Sequence, residues 1–286
     1  MGDLEVHHQT IDRVPAATPE PRQYRLLPLL PPRLRPTSRP HLAYELVLIG
    51  LSYWIYSLIR NAVPEHRSAA MEHGSWLFGL ERSLFIDVEP TINQTVDRIT
   101  WLIVGMNYYY ATLHFIVTVG VLVWLYRCHP LRYRPARTAL YLTNAIALIG
   151  YYTIPLAPPR FYPEYGFVDT VVTHHTWGSW ASGDVAAASN QYAAMPSMHI
   201  GWALWCGLTV FMLAEARWVR TLAVLYPLAT LTVIVATGNH FVLDAAGGAL
   251  VLALGFAVQY VLSGRSVYGL QMPTSWTSPH PARTPA

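Results

Sequence analysis

Ala194-Met195-Pro196-Ser197-Met198-His199 is a short polar stretch that opens a strongly apolar run, and about forty residues later comes His240-Phe241-Val242-Leu243-Asp244. Two membrane-crossing helices of about 20 residues each would consume that interval. One goes down and the next comes back. His199 and His240 are therefore expected at the same face of a bilayer, each at the outer end of a helix, where a charged headgroup can meet them. The rest of the chain reads as the scaffold for that meeting.

Of the 286 residues, 53% are hydrophobic and 12% charged, against about 25% charged in a typical soluble domain. That balance points to a polytopic membrane protein. All 19 basic residues are Arg, and the net charge of +3 is dispersed between hydrophobic runs. No basic face of the kind nucleic acids require is left, and that class is set aside. Cys128 falls in a basic loop and Cys206 in mid-helix, a poor pairing for a disulfide and too few ligands for zinc. Residues 1–40 are rich in Pro and Arg and lack the apolar core of a secretory signal. They are expected to form a disordered cytoplasmic tail, followed by a membrane catalytic domain at 41–264 and a second disordered tail at 265–286.

The expected fold is all-α: a six-transmembrane-helix bundle with an interfacial helix between the first two spans. The spans run from Leu42 to Leu58, Trp101 to Leu125, Ala139 to Ile154, Met198 to Ala214, Val219 to Ala236 and Phe241 to Leu262. In the first, Glu45 sits near the start, where it can reach the interface. Between Pro64 and Val96, apolar residues alternate with Glu72, Glu81 and Arg82, a pattern suited to a helix on the membrane surface. The connection from Pro155 to Ala194 has no helical period, and loops of that length are usually functional or disordered. Gly247-Gly248, flanked by alanines, reads as a close-packing face. Fourteen of the nineteen arginines fall on one side of this arrangement. By the positive-inside rule both termini are cytoplasmic, and the long loop, His199 and His240 face outward.

Three groups of residues carry chemistry. His240 and Asp244, four apart at a helix start, share a face. The carboxylate can accept the Nδ1 proton and leave Nε2 as nucleophile or base, although a structural ion pair or half a metal site has the same spacing. Ser197 is a natural N-cap, and the amides behind it, from Met198 on, form an anion site at a helix N-terminus. His199, one turn in, can protonate a departing oxygen; a cap with a stray histidine is the plain alternative. Arg160 closes Pro155-Leu-Ala-Pro-Pro-Arg160 just beyond the third span. Its guanidinium can grip phosphate in a bidentate fork or snorkel at the interface. His174-His175 lacks metal-ligand spacing and is left unassigned.

In this order and with these placements, the motifs resemble those of the type 2 phosphatidic acid phosphatase superfamily, which also includes the vanadium haloperoxidases. Its second and third motifs, Pro-Ser-x-His and His-x-x-x-Asp, are matched by Pro196, Ser197, His199 and by His240, Asp244. The family's first motif has Lys where Thr153 stands and Pro where Phe161 stands, and its third has Arg where Ile234 stands. Those departures resemble the inositol phosphorylceramide synthase branch, which carries Ala-Pro-Pro-Arg and an aromatic after the second histidine, as Ala157 to Arg160 and Phe241 do here. Tyr110, His114 and Asn107 can contribute to the pocket in place of the missing Lys, or make a polar interhelical contact.

The resemblance implies a membrane-bound lipid phosphotransferase or phosphatase without metal or cofactor. His240 would attack phosphorus to give a phosphohistidine, with Asp244 stabilising the imidazolium and His199 exchanging the proton. Arg160, Ser197 and the amide of Met198 would hold the phosphoryl oxygens. The partners would be a phospholipid donor and a lipid hydroxyl or water as acceptor. A lipid phosphate or prenyl pyrophosphate phosphatase, and a non-catalytic lipid transporter or scaffold on the same fold, stay open as alternatives.

Overall fold

The computed structural model describes residues 28–31, 40–62, 67–176 and 191–269. Among them the chain is helical, with one isolated parallel bridge, Leu156 to Ala193, and no strand. In chain order the helices are α1 (Leu42–Ala62), α2 (Arg67–Ser83), α3 (Glu89–Asp97), α4 (Thr100–Tyr108), a π-helical segment (Tyr109–Leu113), α5 (His114–Cys128) and α6 (Pro130–Thr153). Two 3-10 turns, Pro159–Phe161 and Pro163–Tyr165, lead to the short α7 (Thr170–Thr173). The last three are α8 (Met198–Leu213), α9 (Arg217–Ala236) and α10 (Val242–Ser263).

Among the described residues, four stretches are long and apolar enough to cross a membrane: Leu42–Ile59, Thr100–Cys128, Arg217–Ala236 and Val242–Ser263. The other two expected spans differ for visible reasons. Helix α8, at 16 residues, is apolar but short, and α6 carries Arg132, Arg134 and Arg137 in its first half. The chain is an all-helical membrane protein on these four helices.

Glycines set how closely the helices approach. A Cβ on Gly255 of α10 would lie 2.2 Å from Thr143 Oγ1 of α6, and one on Gly207 of α8 would lie 2.5 Å from the Ala223 carbonyl of α9. Such contacts exist because small residues let backbones meet where hydrocarbon supplies no hydrophobic drive. Around them Leu125, Tyr133, Leu140, Trp205 and Leu252 form one buried core. Trp205 Nε1 donates to the Ala136 carbonyl at 3.0 Å, which satisfies its polar edge inside that core.

Glu45 is buried, accepts from Tyr133 Oη at 2.9 Å and pairs with Arg137, which pins α1 to α6. The segment after α1 folds as two helices. The buried face of α2 (Ala70, Leu77, Phe78) packs on Leu156, Ala157, Tyr162, Phe167 and Phe241 of the chain itself. Residues before α1 and after α10 also touch the bundle. Leu29 and Leu30 N–H donate to the Val261 and Leu262 carbonyls, and Val267 is buried in the α5–α6–α8 core.

Candidate active site

The approach to α10 is a tight turn. Gly238 takes a left-handed φ of +66°, and the amides of Asn239 and His240 both donate to the Ile234 carbonyl, at 3.1 and 3.2 Å. His240 is thereby fixed just before the first helical turn, and Asp244 lies in that turn. Asp244 is fully buried; its Oδ2 accepts the Phe241 N–H at 3.0 Å and faces His240 Nδ1 at 3.3 Å. With Nδ1 donating, the ring is held in one tautomer. Its Nε2 is buried and makes no hydrogen bond among the described residues, nor does Asp244 Oδ1.

The second motif is clamped beside the first. Tyr151 Oη donates to the Pro196 carbonyl at 3.1 Å, and the Ser197 N–H donates to the Asp244 carbonyl at 3.0 Å. A Cβ on Gly150 would lie 2.7 Å from Pro196 Cδ, and one on Gly248 would lie 2.3 Å from the Ser197 carbonyl. The Met195-Pro196 bond within this turn is cis. Ser197 occupies the N-cap position of α8, but its hydroxyl makes no capping bond; it is buried and has no partner among the described residues. Ser197 thus caps by position only, and its amide donates to Asp244. The amides of Met198 and the next two residues have no intrahelical acceptor, as at any helix start, where an anion can be bound.

His199 reaches across to the π-helical segment. Its ring stacks on Tyr110 with centroids 4.0 Å apart, and the rings of His199 and His240 are 5.6 Å apart. Both His199 Nε2, at 3.2 Å, and His114 Nδ1, at 3.0 Å, are directed at the Tyr110 carbonyl. The π-helical segment beginning at Tyr109 shifts the ladder from i→i+4 to i→i+5 and so loosens carbonyls from it. Such bulges are frequent at functional sites. His114 completes the group, with its centroid 4.3 Å from that of His199.

Arg160 belongs to the 3-10 turn after Pro158-Pro159. Its N–H donates to the Gly238 carbonyl at 2.8 Å, and its guanidinium bonds Asn239 Oδ1 and approaches Asp169 Oδ2 to 3.8 Å. The charge is therefore held one residue from His240. At the positions where the resembled family carries further cations, Thr153 is exposed and bonds its own helix at Ile149, while Ile234 is buried among Ile200, Val235 and Ala245.

His240, Asp244, Ser197, Met198, His199, Tyr110 and His114 thus come together, with Arg160 beside them. Asn107 does not join them. It binds the Thr170 carbonyl and the Thr176 and Thr170 hydroxyls, and so ties α4 to α7. His174 bonds Asp97 at 2.8 Å. Sequence reasoning passed over Asn239 and Asp169, which orient Arg160. Asn239, a polar residue beside His240 in a turn, was the available signal. Asp169 looks like an ordinary cap, and it also serves as one for α7.

A profile of the PAP2 superfamily matches residues 75–258. The chain belongs to the PAP2 superfamily. Searches of curated proteins and of solved structures return no match. The matched region runs from α2 to the later part of α10 and contains Arg160, Ser197, His199, His240 and Asp244. As a PAP2 superfamily member with four membrane-length apolar helices, the chain is a membrane enzyme of the lipid phosphatase or phosphotransferase type.

Proposed function

We propose that this PAP2 superfamily member transfers a phosphoryl headgroup, inositol phosphate-like, between lipids at the outer leaflet through a phosphohistidine. The observation that carries the reading is His240: Nδ1 faces a buried carboxylate, Nε2 has no partner among the described residues, and a second imidazole lies 5.6 Å away. In the first step, His240 Nε2 bonds to phosphorus as the P–O bond to the leaving lipid alcohol breaks, and His199 supplies that oxygen with a proton. In the second, the acceptor hydroxyl gives its proton to His199, its oxygen bonds to phosphorus, and the P–N bond breaks. Arg160, the Ser197 hydroxyl and the Met198 amide hold the non-bridging oxygens, where electrostatic stabilisation is usually the largest contribution.

A lipid substrate is supported by an apolar groove of about 530 Å³ between α8 and α9, lined by Ile200, Leu204, Leu208, Phe211, Leu228 and Ala245. Ile200 and Ala245 in its lining are the chain neighbours of His199 and Asp244. Transfer rather than hydrolysis is supported by Ala157-Pro158-Pro159-Arg160 and Phe241, which resemble the inositol phosphorylceramide synthase branch. The test offers detergent-purified protein labelled phosphatidylinositol with and without ceramide or diacylglycerol. Label appearing in a new lipid only with the alcohol present is the expected result. Release of water-soluble phosphate regardless of alcohol makes the protein a phosphatase, and no turnover of any lipid phosphate overturns both readings.

A further inference from the structure

The first turn of α10 is held by three carboxylates from three helices. The Val242 N–H donates to Glu89 Oε1 at 2.9 Å, the Leu243 N–H to Glu81 Oε1 at 2.7 Å, and the Phe241 N–H to Asp244 Oδ2 at 3.0 Å. Glu81 of α2 and Glu89 of α3 are each 0% exposed. The second oxygen of each, Oε2, is buried and has no partner among the described residues. Glu89 and Glu81 accept from consecutive amides of one turn, which brings the two carboxyl groups side by side. Two like charges in such a site repel, whereas a single proton between them turns the repulsion into an O–H···O⁻ bond.

We propose that Glu81 and Glu89 share one proton, and that this carboxyl pair is a positioning device fixing the start of α10, and with it His240 and Asp244. Burial pushes the Glu81 carboxyl up to about 9, with the hydrogen bond to Glu89 and the negative charges of Glu89 and Asp244 adding to the effect. Glu89 from α3 and Asp244 from α10 are the titratable groups acting on Glu81, and Asp244 is itself bonded to His240. A protonated Glu81 accepts the Leu243 N–H on one oxygen and donates from the other to Glu89, which accounts for all four carboxyl oxygens. The single charge that remains on the pair suits the positive end of a helix.

The sharpest test is stability against pH in the full chain in detergent, since it does not depend on any reaction. A group whose pKa is raised on folding contributes fully below its unfolded value and loses that contribution as pH rises through the folded one. Wild type should therefore lose thermal stability relative to Glu81→Gln as pH rises between 4.5 and about 9. Parallel curves would overturn the proposal. Each single variant, Glu81→Gln or Glu89→Gln, leaves one amide facing one carboxylate and should be tolerated. The double variant sets amide N–H groups against each other and should lose more than the sum of the singles; an additive loss would contradict a shared proton.

The positioning role rests on the phosphotransfer reading and has its own readouts. Glu81→Ala should speed amide hydrogen exchange at Val242 and Leu243 and lower kcat at least tenfold with little change in KM, while Glu81→Gln restores both. Unchanged exchange in Glu81→Ala would overturn the positioning role whatever the protein catalyses. Faster exchange with turnover intact would overturn its link to the site.

Discussion

The Ser197 N–H donates to the main-chain carbonyl of Asp244 at 3.0 Å, so the two polar motifs of the chain are joined backbone to backbone. The Gly248 Cα makes this approach possible, because an added Cβ would lie 2.3 Å from the Ser197 carbonyl. Gly248→Ala must push the turn away from α10. Overpacking of this kind costs about 1–3 kcal/mol, and turnover should fall at least tenfold along with the thermal midpoint. Gly79→Ala and Gly105→Ala, where nothing lies within 4 Å, should instead stabilise by about 0.5–1 kcal/mol.

Asp244→Asn keeps a side-chain oxygen for the Phe241 N–H but turns an amide N–H toward His240 Nδ1, which then accepts and carries no proton. The proton moves to Nε2 and blocks attack. Loss of kcat by about 10²–10⁴-fold, the range for a positioned acid–base group, is expected with the thermal midpoint close to wild type. A variant with full turnover would remove Asp244 from the chemistry.

The Tyr110 ring lies 4.0 Å from His199. Aromatic pairs of this kind contribute about 0.5–1.5 kcal/mol beyond area burial, so Tyr110→Ala should lower kcat by up to about tenfold. Tyr110→Phe keeps both the stack and the carbonyl and should retain more turnover than Tyr110→Ala. Steady-state kinetics of the two variants separate the ring from the hydroxyl.

Removing Glu45 leaves Arg137 buried without its carboxylate, and breaking a buried pair this way costs about 3–5 kcal/mol. Glu45→Ala should loosen α1, which is otherwise exposed along most of its length, and speed amide hydrogen exchange along it. The proposed catalytic groups lie on other elements, so the residual folded protein should turn over normally.

Much of this was legible in apolar run lengths. The interval between His199 and His240 holds the rest of α8 and all of α9, antiparallel neighbours, and that alone brings the two imidazoles to one end. The π-helical segment was not legible, because Tyr108 to His114 reads as uninterrupted helix and one extra residue in a turn leaves no compositional mark. Glu81 and Glu89 were hidden for another reason. Acidic residues in an amphipathic stretch read as a solvated face, and only the packing of α2 against α10 and of α3 against α9 turns them inward. The pairing of Glu45 was hidden too, since its partner Arg137 lies far along the chain. Thr153 and Ile234 show that a missing cation in a motif is visible in sequence, but its replacement is not. The Asn239 side chain that holds Arg160 became apparent only from the turn geometry.

The central claim is that His240 Nε2 carries the phosphoryl group. The most direct measurement is to mix the purified protein with phosphorus-labelled lipid, quench it in alkali and in acid, and follow label on the protein. An acid-labile, alkali-stable phosphoenzyme in wild type, absent from His240→Ala, is the expected result. Turnover by His240→Ala within about tenfold of wild type, where such groups contribute roughly 10²–10⁴-fold, would contradict it.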